Sequence, residues 1–216
     1  MPIFCPWMAK IVTTPFLPFF DFLKKTYAAR FAIYPRFFSP ANNWFEELAD
    51  YSAFKNVVGL SSGDLRIRYD MELVLRFMAF LSDSDYESKL KNFNSVDVFL
   101  THVLRGFIKE EKFDYEGKEA LFKRTFDAIY AAYGKDALKY KNAPATGKFS
   151  ISFFEAVAFG IAQNLNELPD NEDLKSKIVS IAKDSRYSKV SGSGKNIKSR
   201  TPALLALGKE YFKKSQ

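Results

Sequence analysis

Between Arg66 and Phe80 the chain carries a pattern that suits a helix and no other regular element. Leu73, Phe77, Phe80 and Leu81 recur at spacings of three and four, so they share one face of a 3.6-residue helix. Arg66 with Asp70, and Glu72 with Arg76, stand four apart and are placed to pair along the flanks. Exposed pairs of this kind contribute only about 0.2–0.5 kcal/mol each. On spacing alone the segment reads as a surface helix laced with charges.

The same periodicity continues from Pro40 to the end, with no hairpin signal and no alternation sustained enough for a sheet. A helix starting near Asn43 carries Phe45, Leu48 and Ala49 inward and fades near Gly59. A second, capped by Asp64, runs to Leu81, and residues 82–85 form a turn. Ser95 caps a third, with Val96, Phe99, Val103 and Phe107 on one stripe. A fourth covers residues 116–133 and stops at Gly134, where a left-handed residue is wanted. Ser150 caps an apolar helix over residues 151–165. Pro169 opens another whose first turn holds Asp170, Glu172 and Asp173, favourable against the helix dipole, and which ends near Lys183. A Ser/Gly loop at 191–194 leads to a last helix over about 201–213, with Pro202 in its first turn. In the first forty residues six prolines interrupt a dense run of aromatics, and one helix near residues 21–34 survives. The expectation is an all-α fold: an irregular multi-helix bundle over residues 41–216, preceded by a Pro/aromatic-rich arm over residues 1–40.

Composition narrows the chemistry. Apolar residues are 47% and charged residues 26% of 216, enough for a real core. Cys5 and His102 are the only residues of their types. An intramolecular disulfide, a cysteine zinc site and the usual histidine–metal nuclease centres are therefore excluded. His102, beside Phe99 and Val103, reads as a partly buried structural histidine. No apolar run reaches 18 residues, so no membrane span is expected. Pro15 and Pro18 break the one stretch that resembles a signal peptide, and the expected setting is cytoplasmic.

The net charge of +7 is concentrated. From residue 185 onward Arg186, Lys189, Lys195, Lys198, Arg200, Lys209, Lys213 and Lys214 face only Glu210, which accounts for the whole excess. A gathered cationic segment is what a polyanion-binding surface requires; a solvated tail that aids solubility is the equal alternative. Gly192-Ser-Gly-Lys195 is not a phosphate-binding P-loop, because position 189 is Lys, position 196 is Asn and no strand precedes it. A short Ser/Gly loop with Lys195, Lys198 and Arg200 can still hold one phosphate, or serve simply as a linker. Arg66 and Arg68 are second candidates for phosphate, with ion pairing inside the fold as the alternative. Asp170, Asp173 and Lys175 have a sufficient capping explanation. No catalytic residue, metal ligand or cofactor is expected from these motifs.

Three stretches in order carry a family resemblance. Arg68, Asp70, Glu72, Leu73, Leu75, Arg76, Phe77 and Ala79 match a basic residue, Asp-x-Glu, aliphatics, then Arg-Phe and a small pair. Upstream lie Arg30-Phe-Ala-Ile-Tyr34, Asn43-Trp-Phe-Glu-Glu-Leu-Ala49 and Phe54; downstream, Ser191-Gly-Ser-Gly-Lys195 with Arg200. Together they resemble the helical region that follows the ParB/sulfiredoxin-like domain in GmrSD-type, modification-dependent restriction proteins, over about residues 28–216. The resemblance implies a link to NTP-driven restriction of modified phage DNA. It also implies that the chemistry lies elsewhere, since the Asp-Gly-Gln-Gln-Arg signature and a His-Asn-His nuclease pattern are absent. The expected protein is thus a non-catalytic module, or a truncated remnant, touching DNA or a nuclease/NTPase partner. A protein-interaction scaffold using the aromatic arm, with no nucleic-acid binding, is the alternative, and an enzyme built on carboxylates and lysine ranks last.

Overall fold

The structure, a computed structural model, describes residues 40–82, 86–93, 95–109, 113–192 and 194–213. These form eleven helices and one two-stranded sheet, an all-α fold. In order they are α1 (Pro40–Ala49), α2 (Ser52–Val58), α3 (Ser62–Arg66), α4 (Tyr69–Ser82), α5 (Tyr86–Lys91), α6 (Val96–Lys109), α7 (Tyr115–Tyr133), β1 (Lys139–Tyr140), β2 (Pro144–Phe149), α8 (Ile151–Ala162), α9 (Asn171–Ile181), α10 (Ser185–Val190) and α11 (Ile197–Tyr211). The expected arm and its helix, apart from Pro40, lie outside the described residues, as does most of the 82–85 turn.

Short polar side chains set the starts of these helices. Ser150 Oγ accepts from Phe153 N–H, Asp170 from Glu172 and Asp173, Asp184 from Arg186 and Asn196 from Lys198. Ser61, not Asp64, caps α3. Asp64 sits at its third position and returns a bond to the Ser61 backbone, completing a capping box. At the other end of the chain Lys177 Nζ donates to the carbonyls of Tyr211 (3.0 Å) and Lys213 (2.8 Å), closing the C-terminus of α11.

The expected long helix ending at Leu81 is two helices. Arg68 lies between them at φ 56, a left-handed conformation that a non-glycine residue rarely adopts. Its guanidinium offsets that cost by bonding Glu46 (2.9 Å) and Asp70 (3.4 Å). The partner of Asp70 is thus Arg68, not the Arg66 that four-residue spacing proposes.

Helix α4 corrects the surface reading more deeply, because every residue from Asp70 to Phe80 is buried. Phe77 meets Phe122 and Phe126 of α7 and Phe159 of α8, with ring centroids 5.3–5.5 Å apart. Phe54 of α2 joins the same cluster through Phe122 and Phe126. The bundle is therefore built around α4, with α7 and α8 packed on it.

Helices α8 and α11 make the closest approach. A Cβ on Gly160 would come within 2.6 Å of the Gly208 carbonyl, and one on Gly208 would run into the Ala156 carbonyl oxygen. Asn164 ties the pair further, donating to Gly160 O (2.8 Å) and Lys209 O (3.0 Å). Helix α11 begins four residues earlier than expected, which leaves Pro202 inside it. Three short elements went unforeseen: α5, α10, and the antiparallel hairpin with Lys139 opposite Phe149 and Tyr140 opposite Pro144; the first expected helix, fading near Gly59, is two, α1 and α2.

Candidate functional site

The polar residues of α4 point to the centre of the molecule. Glu72 and Arg76 pair within the helix, Arg76 Nη2 lying 3.0 Å from Glu72 Oε1. Arg76 Nη1 then reaches Glu155 Oε1 on α8 at 3.2 Å. From α11, Arg200 Nη2 meets the same oxygen at 3.4 Å and the Thr201 hydroxyl donates to Glu155 Oε2 at 3.1 Å. Glu72, Glu155 and Thr201 are fully buried and Arg76 almost so. Burial works to lower the Arg76 pKa, but the carboxylates of Glu155 and Glu72 outweigh it and hold the group above its ordinary value. The centre joins three helices through ions removed from water. Truncating such a pair is costly, whereas replacing all of it by apolar groups often is not. Its chemical capacity is limited, since the charges are spent on one another and each carboxylate is engaged.

Of the five residues proposed for phosphate contact, two are engaged by carboxylates of the fold. Arg200 is bound to Glu155 with its side chain 12% exposed, and Arg68 is held by Glu46 and Asp70. Lys198 donates from Nζ to the Lys91 carbonyl at 3.0 Å, bridging α11 to the end of α5 while keeping its charge. Arg66 and Lys195 are exposed and take no side-chain partner among the described residues. Arg186, the first cation of the basic segment, is clamped between Asp184 (2.8 Å) and Glu210 (2.9 Å). The hydrogen bonds that Arg186 donates pull the Asp184 carboxyl below the usual range, and donating them to Asp184 and Glu210 pushes the arginine up. The basic segment is thus less free than its composition suggests, because Asp184 stands one residue outside it and Glu155 lies far away in sequence.

His102 is exposed rather than partly buried, with its ring 5.2 Å from that of Phe93. Among the described residues no three His, Cys, Asp or Glu gather as a metal site, and no helix is long and apolar enough to cross a membrane.

Sequence reasoning missed two features. Glu155 is a lone carboxylate in the run Ile-Ser-Phe-Phe-Glu-Ala-Val-Ala-Phe, and that isolation signals a buried charge in need of a cation. The other is a cleft of about 530 Å³ between the α2–α3 connection and the hairpin. Leu60, Ser61, Asp64, Tyr69, Lys139, Lys148, Phe149 and Ile151 line it, with Gly59 and Gly147.

No protein-family profile matches the chain, and comparison with curated proteins and with solved structures finds no significant match.

Proposed function

We propose that the chain is a non-catalytic helical module of a restriction-type defence protein, contacting nucleic-acid phosphates through Lys195 and Lys198. The observation that carries this reading is the meeting of residues from separate stretches of the resemblance. Arg76 from the first stretch, itself paired with Glu72, and Arg200 from the last converge on Glu155, 79 and 45 residues away from the two arginines. The Asn43–Ala49 stretch contributes Glu46, which holds Arg68. Side chains that meet in this way build a body; they do not assemble a reaction centre. In this reading Arg200 and Arg68 are framework residues, which leaves Lys195 in the exposed turn and Lys198 one helical turn on, with Arg66 as a separate cation.

Two phosphate contacts give a log K against log salt slope of about −1.8, where five would give about −4.5. A gel-shift series with DNA and RNA from low to physiological salt reads that slope. The expected result is weak, strongly salt-sensitive binding that disappears in the Lys195→Ala/Lys198→Ala double variant. Absence of binding at low salt, or binding indifferent to that double substitution, removes the nucleic-acid reading. Concentration-dependent self-association or capture of a nuclease partner without DNA binding then leaves the scaffold alternative.

A further inference from the structure

Independently of the basic C-terminal segment, we propose that the cleft beside the hairpin binds a small aromatic anion, an aromatic ring system bearing one carboxylate or phosphate group. Its volume of about 530 Å³ falls within the roughly 300–1,000 Å³ of small-molecule sites. One wall is apolar: Leu60, Ile151, and the rings of Tyr69 and Phe149, packed edge to face with centroids 5.9 Å apart. The other wall is cationic. Lys148 is exposed and has no side-chain partner among the described residues, while Lys139 is bound to Asp136 at 3.0 Å.

The carboxylate in the lining, Asp64, is already committed. Its Oδ2 accepts from both the backbone N–H and the hydroxyl of Ser61 (3.1 and 2.6 Å), which holds it against the start of α3. Lys141, exposed in the hairpin turn beside Gly147, adds to the positive field on this side. Two glycines keep the walls close without filling the space. At φ 52, Gly59 abuts the Asp136 side chain, and at φ 74 a Cβ on Gly147 would lie 2.8 Å from Lys141 Cβ. An apolar body with a single acidic group matches this surface, since a ring displaces water from the aromatic wall while the acid meets Lys148.

The test uses the full chain and 1-naphthoate, followed by amide chemical shifts. Saturable shifts are expected at residues 59–61 and 148–151, with binding weakened about fivefold by Lys148→Gln and restored by Lys148→Arg. The neutral isostere 1-naphthamide is expected to bind more weakly than the naphthoate by a similar factor. A parallel titration with 1-naphthyl phosphate assigns the acid group, the tighter ligand naming it. Shifts scattered elsewhere, no saturation, or an unchanged affinity in Lys148→Gln overturns the proposal. Lys148 lies outside the core, so its replacement leaves the fold intact and a negative result counts.

Discussion

Replacing Glu155 by leucine removes the acceptor on which three donors meet: Arg76 at 3.2 Å, Arg200 at 3.4 Å and Thr201 at 3.1 Å. The three consequences differ. Arg200, 12% exposed, can turn its guanidinium towards water at little cost. Arg76 keeps Glu72 at 3.0 Å but loses half of its compensation in a site it cannot leave. The Thr201 hydroxyl, fully buried, is left without its acceptor, at a cost of about 1–3 kcal/mol. Together these place the loss near 3–5 kcal/mol, the usual range for breaking a buried ion pair. That is a large share of the roughly 5–15 kcal/mol by which a domain is stable, and for a chain of this size it lowers Tm by about 10 °C. Urea denaturation followed by far-ultraviolet circular dichroism measures it, as a lower midpoint at unchanged slope. Glu87→Leu, which breaks the exposed pair with Lys91, is the control and is expected to cost under about 1 kcal/mol. If Glu155→Leu is as mild as this control, the buried centre does not hold the bundle together.

Gly208→Ala and Gly160→Ala each force α8 and α11 apart and should destabilise the fold by about 1–3 kcal/mol, read in the same denaturation assay. Asp170→Ala removes the acceptor for two backbone donors at the head of α9 and should cost about 1 kcal/mol. Tyr51 donates to Asp127 Oδ1 at 2.6 Å, and this bond, with burial, raises its phenol from 10.0 to about 12. Because the folded value is the higher one, the stabilisation is complete below pH 10 and is lost as pH rises through 12. Ultraviolet titration at alkaline pH should show this phenol ionising late, and Asp127→Asn should return it towards its ordinary value.

The all-α class was legible because apolar spacing of three and four runs from Asn43 onward, and Ser150, Gly134 and the acidic turn after Pro169 punctuate it. The status of α4 was misread from the same letters. Its four periodic residues define one face, but Met71, Val74, Leu75, Met78 and Ala79 fill the others, and a helix apolar all round belongs in a core. The break at Arg68 carries no glycine or proline to announce it, and depends on Glu46, which only the folded chain brings near. The hairpin was invisible because a two-residue strand is too short for any alternation. Local sequence likewise could not tell that Arg200 faces Glu155 and not solvent. The cations were correctly counted, but their neutralising partners lie up to 45 residues away or just outside the window. The Gly160–Gly208 contact was illegible for the same reason, since each glycine alone is only a weak spot in a helix.

The most direct test of the account is a double-mutant cycle between Arg76 and Glu155, using Arg76→Met, Glu155→Leu and the pair, measured by urea denaturation. The predicted coupling is about 1–3 kcal/mol, with the double variant more stable than the sum of the single losses allows. Strict additivity would mean that the two side chains do not share a buried site, and that the ion cluster does not hold α4 to α8.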